Sequence, residues 1–217
     1  MIFRMGHDRP ADSSEVAALW NARYGSRDQP WNGAVNARLV SELDGLAPHD
    51  KASAALDAGC GEGGDSLWLA EQGWQVFGVD LSSVAIDRAR DAAHERGLGA
   101  RVRLEQRDLS TTPPPEAEFD LVTAHYLHVL PDHRDAIYGG LARAVRLGGT
   151  LLLVLHDASN IDAGVAHPPP FTMLTRDELA AVAHGFRELS CEQKPRAVLG
   201  RDGSPATAYD LVLRAVR

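Results

Sequence analysis

Between residues 56 and 65 the chain reads LDAGCGEGGD. Four glycines crowd into six positions, with Asp57 just before them and an apolar run just after. Glycine loses the most conformational freedom on folding, so this density marks a backbone that something must approach closely. Gly59, Gly61 and Gly64 satisfy G-x-G-x-x-G, with Gly63 between them. That pattern, after a strand and before a helix, can seat a nucleotide-like ligand. Two further carboxylates stand downstream, Asp80 in VDLS and Asp108 in RDL. An acid at the end of a second strand can hold ribose hydroxyls. A carboxylate after a third strand can accept a hydrogen bond from an adenine amine. Proton-transfer groups come later, at His125, His128, His133 and the pair His156-Asp157.

Two ligands suit such a loop, a dinucleotide and S-adenosylmethionine. Asp57 separates them. A negative charge two residues before Gly59 repels a pyrophosphate and attracts a ligand bearing an ammonium group and a sulfonium centre. The loop also begins only after some fifty residues, whereas dehydrogenases of this type usually place it near the start of the chain.

These groups need a scaffold to converge, and the hydrophobic pattern supplies one. From residue 53 onward short apolar strands alternate with helical stretches. ASAALDAG, WQVFGVD, RVRLEQRD, EFDLVTAHY and TLLLVLH read as strands. GGDSLWLAEQG, SSVAIDRARDAAHERG and HRDAIYGGLARAVRLGG read as the helices between them. Strands that are nearly continuous apolar runs are covered on both faces. A helix over TRDELAAVAHG follows, with a capping box from Thr175 to Glu178 and a stop at Gly185. Two last strands, about 186–198 and 206–216, flank Asp202-Gly203, a turn signal. The expected fold is α/β: a Rossmann-like, doubly wound, seven-stranded, mostly parallel sheet with a C-terminal antiparallel hairpin. Residues 1–52 carry no strand pattern and read as an N-terminal helical cap, part of the same domain as residues 53–217. The cap holds SSEVAALWNARYG and AVNARLVSELDGL, joined by SRDQPWN.

The composition excludes several classes. At 217 residues, 44% hydrophobic and 24% charged, the chain is that of one globular domain. A net charge of −8 argues against nucleic acid, which wants a basic face. The arginines at 88, 90, 96, 101 and 103 are interleaved with acids and read as solvated surface. No apolar run approaches the roughly 20 residues of a membrane span. MIFRMGHDRP is too short and polar for a signal peptide, so a cytoplasmic protein is expected. Cys60 and Cys191 offer neither a disulfide framework nor zinc spacing, and Cys60 reads as a small packing residue. His125, His128 and His156 invite a metal reading, but no acid accompanies them with certainty, and no metal is expected.

LDAGCGEGG, VDLS, RDL and the RLGG before the fifth strand together resemble the ordered motifs of class I S-adenosylmethionine-dependent methyltransferases. The resemblance covers residues 53 to 217. WNARYGSRDQPWNG, the short cap and the Asp-Gly hairpin resemble, more narrowly, the small bacterial enzymes of the tellurite-resistance and thiopurine methyltransferase type. The resemblance implies S-adenosylmethionine as cofactor and a cofactor set of Asp57, Gly59, Gly61, Gly63, Asp80, Leu81, Asp108, Leu109, Ala124 and His125. Within it, Asp57 counters the ammonium group through water and Asp80 takes the ribose hydroxyls. Asp108 takes the adenine amine, Leu81 and Leu109 pack on the ring faces, and Ala124 and His125 line the methionine end through their backbone. His125 and His156 are the candidate general bases for a hydroxyl acceptor. Tyr24, Trp31 and His128 are expected on the acceptor side, and the proline-rich 165–173 as an acceptor-side lid. The expected partner is a small-molecule acceptor, with no nucleic acid or membrane, for a monomer or homodimer. A nicotinamide-dependent oxidoreductase and a non-catalytic cofactor-binding module are the alternatives.

Overall fold

A computed structural model describes residues 10–26, 33–163, 165, 168–200 and 203–217. Trp31 and Asp202 therefore lie outside the described residues. Strands β1 (Ala54–Ala58), β2 (Gln75–Asp80), β3 (Val102–Gln106), β4 (Phe119–His125), β5 (Val145–His156), β6 (Glu188–Leu199) and β7 (Pro205–Val216) form one sheet in the order β3-β2-β1-β4-β5-β7-β6. The first five are parallel; β7 runs antiparallel to β5 and β6 antiparallel to β7. This is the expected doubly wound sheet with its terminal hairpin. The strand order reverses between β1 and β4, and ligands of open α/β sheets bind outside the carboxyl ends at such a point.

The apolar strands divide their side chains between two cores. Leu56, Val122, Leu151 and Leu153 pack on one face with Tyr138 and Leu141 of helix α5 (Arg134–Ala144) and Leu179 of α7 (Arg176–Val182). Ala55, Leu121, Leu152 and Val154 pack on the other. Their partners there are Leu39 of α2 (Ala37–Glu42), Leu67 and Leu69 of α3 (Gly64–Glu71), and Ile86 of α4 (Ser83–Glu95). Alternation along the central strands β1 and β4 thus feeds both faces, whereas the edge strands β3 and β6 carry exposed polar side chains. The capping box of Thr175 and Glu178 starts α7 as its sequence predicts.

One boundary departs from the sequence pattern. The helical run through RLGG is expected to continue to residue 149, but α5 ends at Ala144 and β5 begins at Val145. The last helical carbonyls find partners outside the helix. The amides of Ala117 and Glu118 donate to the carbonyls of Arg143 and Ala144, at 2.9 and 3.1 Å. The Arg217 guanidinium donates to the carbonyls of Arg143 and Val145, at 2.9 and 2.6 Å. Val145 then pairs with Phe119, with a register shift before Leu121 meets Thr150.

The cap helices are fastened to the sheet at two places. Helix α1 (Ser13–Gly25) is capped by Asp12 and lies over the ends of β2 and β3. Its Ser13 hydroxyl is 3.1 Å from that of Ser110, and its Asn21 carbonyl accepts from the Ser82 hydroxyl at 2.7 Å. Helix α2 is tied to the hairpin. Arg38 donates to the Pro195 carbonyl at 2.8 Å, and Lys194 pairs with Glu42 at 2.8 Å. No helix among the described residues is long and apolar enough to cross a membrane.

Candidate active site

At the carboxyl ends of β1, β2 and β4, beneath α1, the described residues enclose a cavity of about 530 Å³. Small-molecule sites run from about 300 to 1,000 Å³. Gly59, Gly61, Asp80, Leu81, Asp108 and Leu109 line one wall. The wall is built by the turns that leave the strands. Gly61 has φ +54, a conformation that side chains rarely adopt, and a Cβ on it would come 2.8 Å from the Tyr24 hydroxyl. The loop is stitched to β2, since the amide of Gly61 donates to Asp80 Oδ2 at 2.9 Å and that of Ser82 to Asp80 Oδ1 at 2.8 Å. Burial raises the Asp80 pKa, against the pull of those amides. Each carboxylate oxygen keeps accepting capacity beyond one bond. Asp108 closes a turn, with Ser110 donating both its amide (2.8 Å) and its hydroxyl (2.6 Å) to Oδ1. A pair of carboxylates, two leucines and an open glycine backbone fit a nucleoside with its ribose and adenine.

Three residues of the expected cofactor set do not line the cavity. Asp57 does not line the cavity; it is buried under the glycine loop at 2% exposure. Its Oδ2 accepts from the Ser66 hydroxyl at 2.6 Å. Burial, and then the charge of Asp65, push its pKa up to about 7. Gly63 is also off the cavity; it caps α3, and a Cβ there would meet Ala89 Cβ at 3.0 Å. Ala124 is fully buried in the core of β4. Cys60 is buried in the loop, in line with a packing role, and burial raises its pKa well above the usual thiol range.

The opposite wall is aromatic. Tyr126 follows β4 with φ +53, a costly conformation for a residue with a side chain. On either side of it His125, Leu127 and His128 all reach the cavity. The rings of Tyr126 and His156 stack with centroids 4.4 Å apart, His156 and His128 at 6.0 Å, and His128 and Trp20 at 5.8 Å. Tyr24 joins the series beside Trp20, at 5.9 Å. The Arg196 guanidinium lies 5.6 Å over the Tyr126 ring and is anchored by buried Asp210 at 3.2 Å. Burial, then His156 and Arg23, push the His128 pKa down to about 3, so this ring stays neutral at ordinary pH.

The two candidate bases are not equivalent. His125 Nδ1 lies 3.1 Å from Asp65 Oδ2 and 3.2 Å from the Thr123 hydroxyl. Its Nε2 is buried without a hydrogen-bond partner. His156 lines the same cavity, and its sequence neighbour Asp157 is engaged by other residues. Asp157 Oδ1 instead accepts from the Ser159 amide and hydroxyl and from Gln193, at 2.9, 2.6 and 3.0 Å. The segment 165–173 is no lid in its described residues, which do not line the cavity. Arg134 holds it against α5 by donating to the carbonyls of Phe171 and Met173, at 3.0 and 2.7 Å. Asp65, Asn36 and Arg196 are site residues that sequence reasoning missed. An acid in the first turn of a helix carries an ordinary explanation, and only the tertiary contact with His125 sets Asp65 apart.

A family model described as a methyltransferase domain matches residues 55–149. The 27-O-demethylrifamycin SV methyltransferase of Amycolatopsis mediterranei is 36% identical over 154 residues, 68% of this chain and 56% of that protein. An uncharacterised methyltransferase of Mycobacterium tuberculosis is 34% identical over 143 residues, 64% of this chain and 68% of that protein. The chain spans about half the length of several curated relatives it matches. Among solved structures, one reported for the conversion of a disulfide bond into a thioacetal group during echinomycin biosynthesis superposes with a TM-score of 0.72. It is 26% identical and covers 93% of this chain and 92% of its own. TehB from Haemophilus influenzae superposes at 0.67 with 17% identity, a likeness of fold alone, covering 93% of this chain and 66% of TehB. Sheet order, glycine loop and these relatives agree: the chain belongs to the methyltransferase family, in its class I, S-adenosylmethionine-dependent branch.

Proposed function

We propose that this protein transfers a methyl group from S-adenosylmethionine to a hydroxyl of a small, largely apolar molecule. The observation that carries the reading is one cavity with two unlike walls. The glycine loop with Asp80 and Asp108 forms the first. The ring series from Tyr126 to Trp20, with His125 in the same lining, forms the second. Under this reading Asp80 binds the ribose hydroxyls, Asp108 the adenine amine, and Leu81 and Leu109 the ring faces. When bound, the cofactor supplies a methyl carbon on a cationic sulfur, so that the carbon–sulfur bond breaks with its electron pair staying on sulfur. The protein's part is alignment, exclusion of water, and removal of the acceptor's proton. We assign the removal of that proton to His125. Asp57 acts from beneath the loop through its charge.

The acceptor side is Tyr24, Trp20 and His128, whose neutral ring and aromatic neighbours favour an uncharged, flat or greasy molecule. Relatives whose names specify acceptors are consistent with this. They include a 2-heptyl-1-hydroxyquinolin-4(1H)-one methyltransferase of Mycobacteroides abscessus, 30% identical over 117 residues, and a probable tocopherol O-methyltransferase of rice, 33% identical over 132 residues. The narrower likeness to tellurite-resistance enzymes is supported by fold only, and the apolar wall suits a metalloid anion poorly. The nicotinamide and non-catalytic alternatives find no support among the relatives. We read residues 1–52 as a cap belonging to the same domain, since α2 is bonded into the hairpin.

Calorimetry with S-adenosylhomocysteine and with NADH tests the cofactor. Binding of the first and not the second is expected, and the reverse would overturn the reading. Transfer of labelled methyl to 2-heptyl-1-hydroxyquinolin-4(1H)-one and to a panel of phenols tests the acceptor class. Transfer to amines or thiols alone would refute a hydroxyl acceptor.

A further inference from the structure

The cofactor wall accounts for the glycine loop, Asp80 and Asp108, but gives no role to Asp65. An acid in the first turn of α3 would ordinarily face solvent and favour the helix dipole. Here its side chain is only 13% exposed and both oxygens are engaged. Oδ2 lies 3.1 Å from His125 Nδ1, and Oδ1 accepts the backbone amide of Asn36 at 2.6 Å. A carboxylate accepts and does not donate, so its contact fixes the proton of a neutral His125 on Nδ1 and leaves the lone pair on Nε2. That nitrogen is the buried one without a partner, on a residue that lines the cavity.

The preceding residue explains how the cap reaches this carboxylate. A Cβ on Gly64 would lie 2.5 Å from the Ala34 carbonyl oxygen and 3.1 Å from that of Gly33. The segment 33–36 therefore lies directly on the Gly64 backbone, and any side chain there would push it off. Asn36 is held in turn as the cap of α2, its Oδ1 accepting from the Arg38 amide at 2.9 Å.

We propose that Asp65 is a positioning residue for His125, and that docking of the cap segment 33–36 on Gly64 sets Asp65 in place. Asp65 holds the imidazole with Nδ1–H bonded and Nε2 turned to the acceptor. As the acceptor oxygen bonds to the methyl carbon, its proton moves to Nε2, and the charge of the imidazolium is met by Asp65. The proton passes to solvent once product leaves. Asp57 from β1 is the second acid facing this cluster, and Tyr126 and His156 are the titratable rings beside it. The proposal rests on the methyl-transfer reading of the cavity. It adds that the base is assembled by the cap, so that an undocked cap gives a bound cofactor but slow transfer.

The test is nitrogen NMR of the full chain with labelled histidine at neutral pH, the His125 signals being identified by their loss in His125→Gln. Wild type is expected to show the Nδ1–H tautomer. Asp65→Asn, whose amide can donate to Nδ1, is expected to shift it toward Nε2–H. On an acceptor that wild type methylates, kcat should then fall on the order of 10² to 10⁴. Affinity for S-adenosylhomocysteine should change less than about tenfold, the effect of roughly one hydrogen bond. Gly64→Ala keeps Asp65 and sets a Cβ against the carbonyls of Gly33 and Ala34; it should lower kcat in the same direction and mix the tautomers. A wild-type Nε2–H tautomer, or an unchanged tautomer in Asp65→Asn, would overturn the role of Asp65. Wild-type kcat and tautomer in Gly64→Ala would overturn the role of the cap. Failure of wild type to bind S-adenosylhomocysteine would instead remove the methyl-transfer reading, while the tautomer result would still decide the role of Asp65.

Discussion

Asp57→Asn should stabilise the unliganded protein above neutral pH, although it removes an acid from the family's glycine motif. Asp57 is 2% exposed, has the Ser66 hydroxyl as a partner and has Asp65 as a like-charged neighbour. Its pKa rises from 3.8 to about 7, first because burial disfavours the charged form and second because of Asp65. At about 1.36 kcal/mol for each pH unit, holding it ionised costs about 4 kcal/mol. The sign follows from proton counts. Between about pH 4 and pH 7 the native state binds more protons than the unfolded chain, so stability falls as pH rises through that window and levels off above it. Asn carries no charge and removes that slope.

Urea titrations of wild type and variant at a series of pH values measure the difference directly, which cancels contributions from other groups. The variant should be more stable by up to about 4 kcal/mol near pH 8, with the gap closing toward pH 4. A constant gap, or a variant less stable near pH 8, would refute the assignment of a strained buried carboxylate. Parallel calorimetry shows what the strain is for. If Asp57 meets the ammonium group of the cofactor, the stabilised variant binds S-adenosylhomocysteine more weakly, by about tenfold or more. Unchanged affinity would detach Asp57 from the ligand.

Asp80→Ala should weaken S-adenosylhomocysteine binding by about 1.5–3 kcal/mol, roughly tenfold or more, with the fold retained; equal affinity by calorimetry would remove Asp80 from the site. Gly61→Val should abolish binding more completely, because its Cβ would stand 2.8 Å from the Tyr24 hydroxyl at φ +54, and normal binding by a folded variant would reduce the loop to a plain turn. His128→Phe should keep the stack on Trp20 and remove a pH dependence of the opposite sign to that of Asp57. A histidine held at about 3 in the folded state loses stability as pH falls below 6.5, by about 4 to 5 kcal/mol near pH 3, and equal acid sensitivity of wild type and variant in urea titrations would contradict its burial as a neutral ring.

The strands and the cofactor wall were legible because each rests on short-range rules. A run such as TLLLVLH is apolar on both faces only when helices cover both, and a carboxylate at or just past a strand end, as Asp80 and Asp108 are, is brought to the edge of the sheet. The capping box at Thr175 and the Asn21-bearing helix over 13–25 follow from local hydrogen bonding in the same way. The end of α5 was not legible. The periodicity of its residues continues, and where the helix ends its last carbonyls, of Arg143 and Ala144, are taken by the amides of Ala117 and Glu118 and by Arg217.

The expected site residues that the structure brings to the cavity are those that lie next to one another along a loop or at the tip of a strand: Gly59, Gly61, Asp80, Leu81, Asp108 and Leu109. Tertiary structure alone shows how the surroundings of the two histidines differ. His156 precedes an acid in the sequence, yet Asp157 bends back to Ser159 and Gln193. His125 has no acid beside it in the sequence, yet receives Asp65 from the first turn of α3. It also drew Asp57 beneath the loop and sent Gly63 and Ala124 into packing roles. Sequence spacing fixes which residues can reach an edge of the sheet. A hydrogen bond between side chains of different elements depends on how helices and cap settle on that sheet, and that is set by the summed packing of both cores rather than by any local pattern.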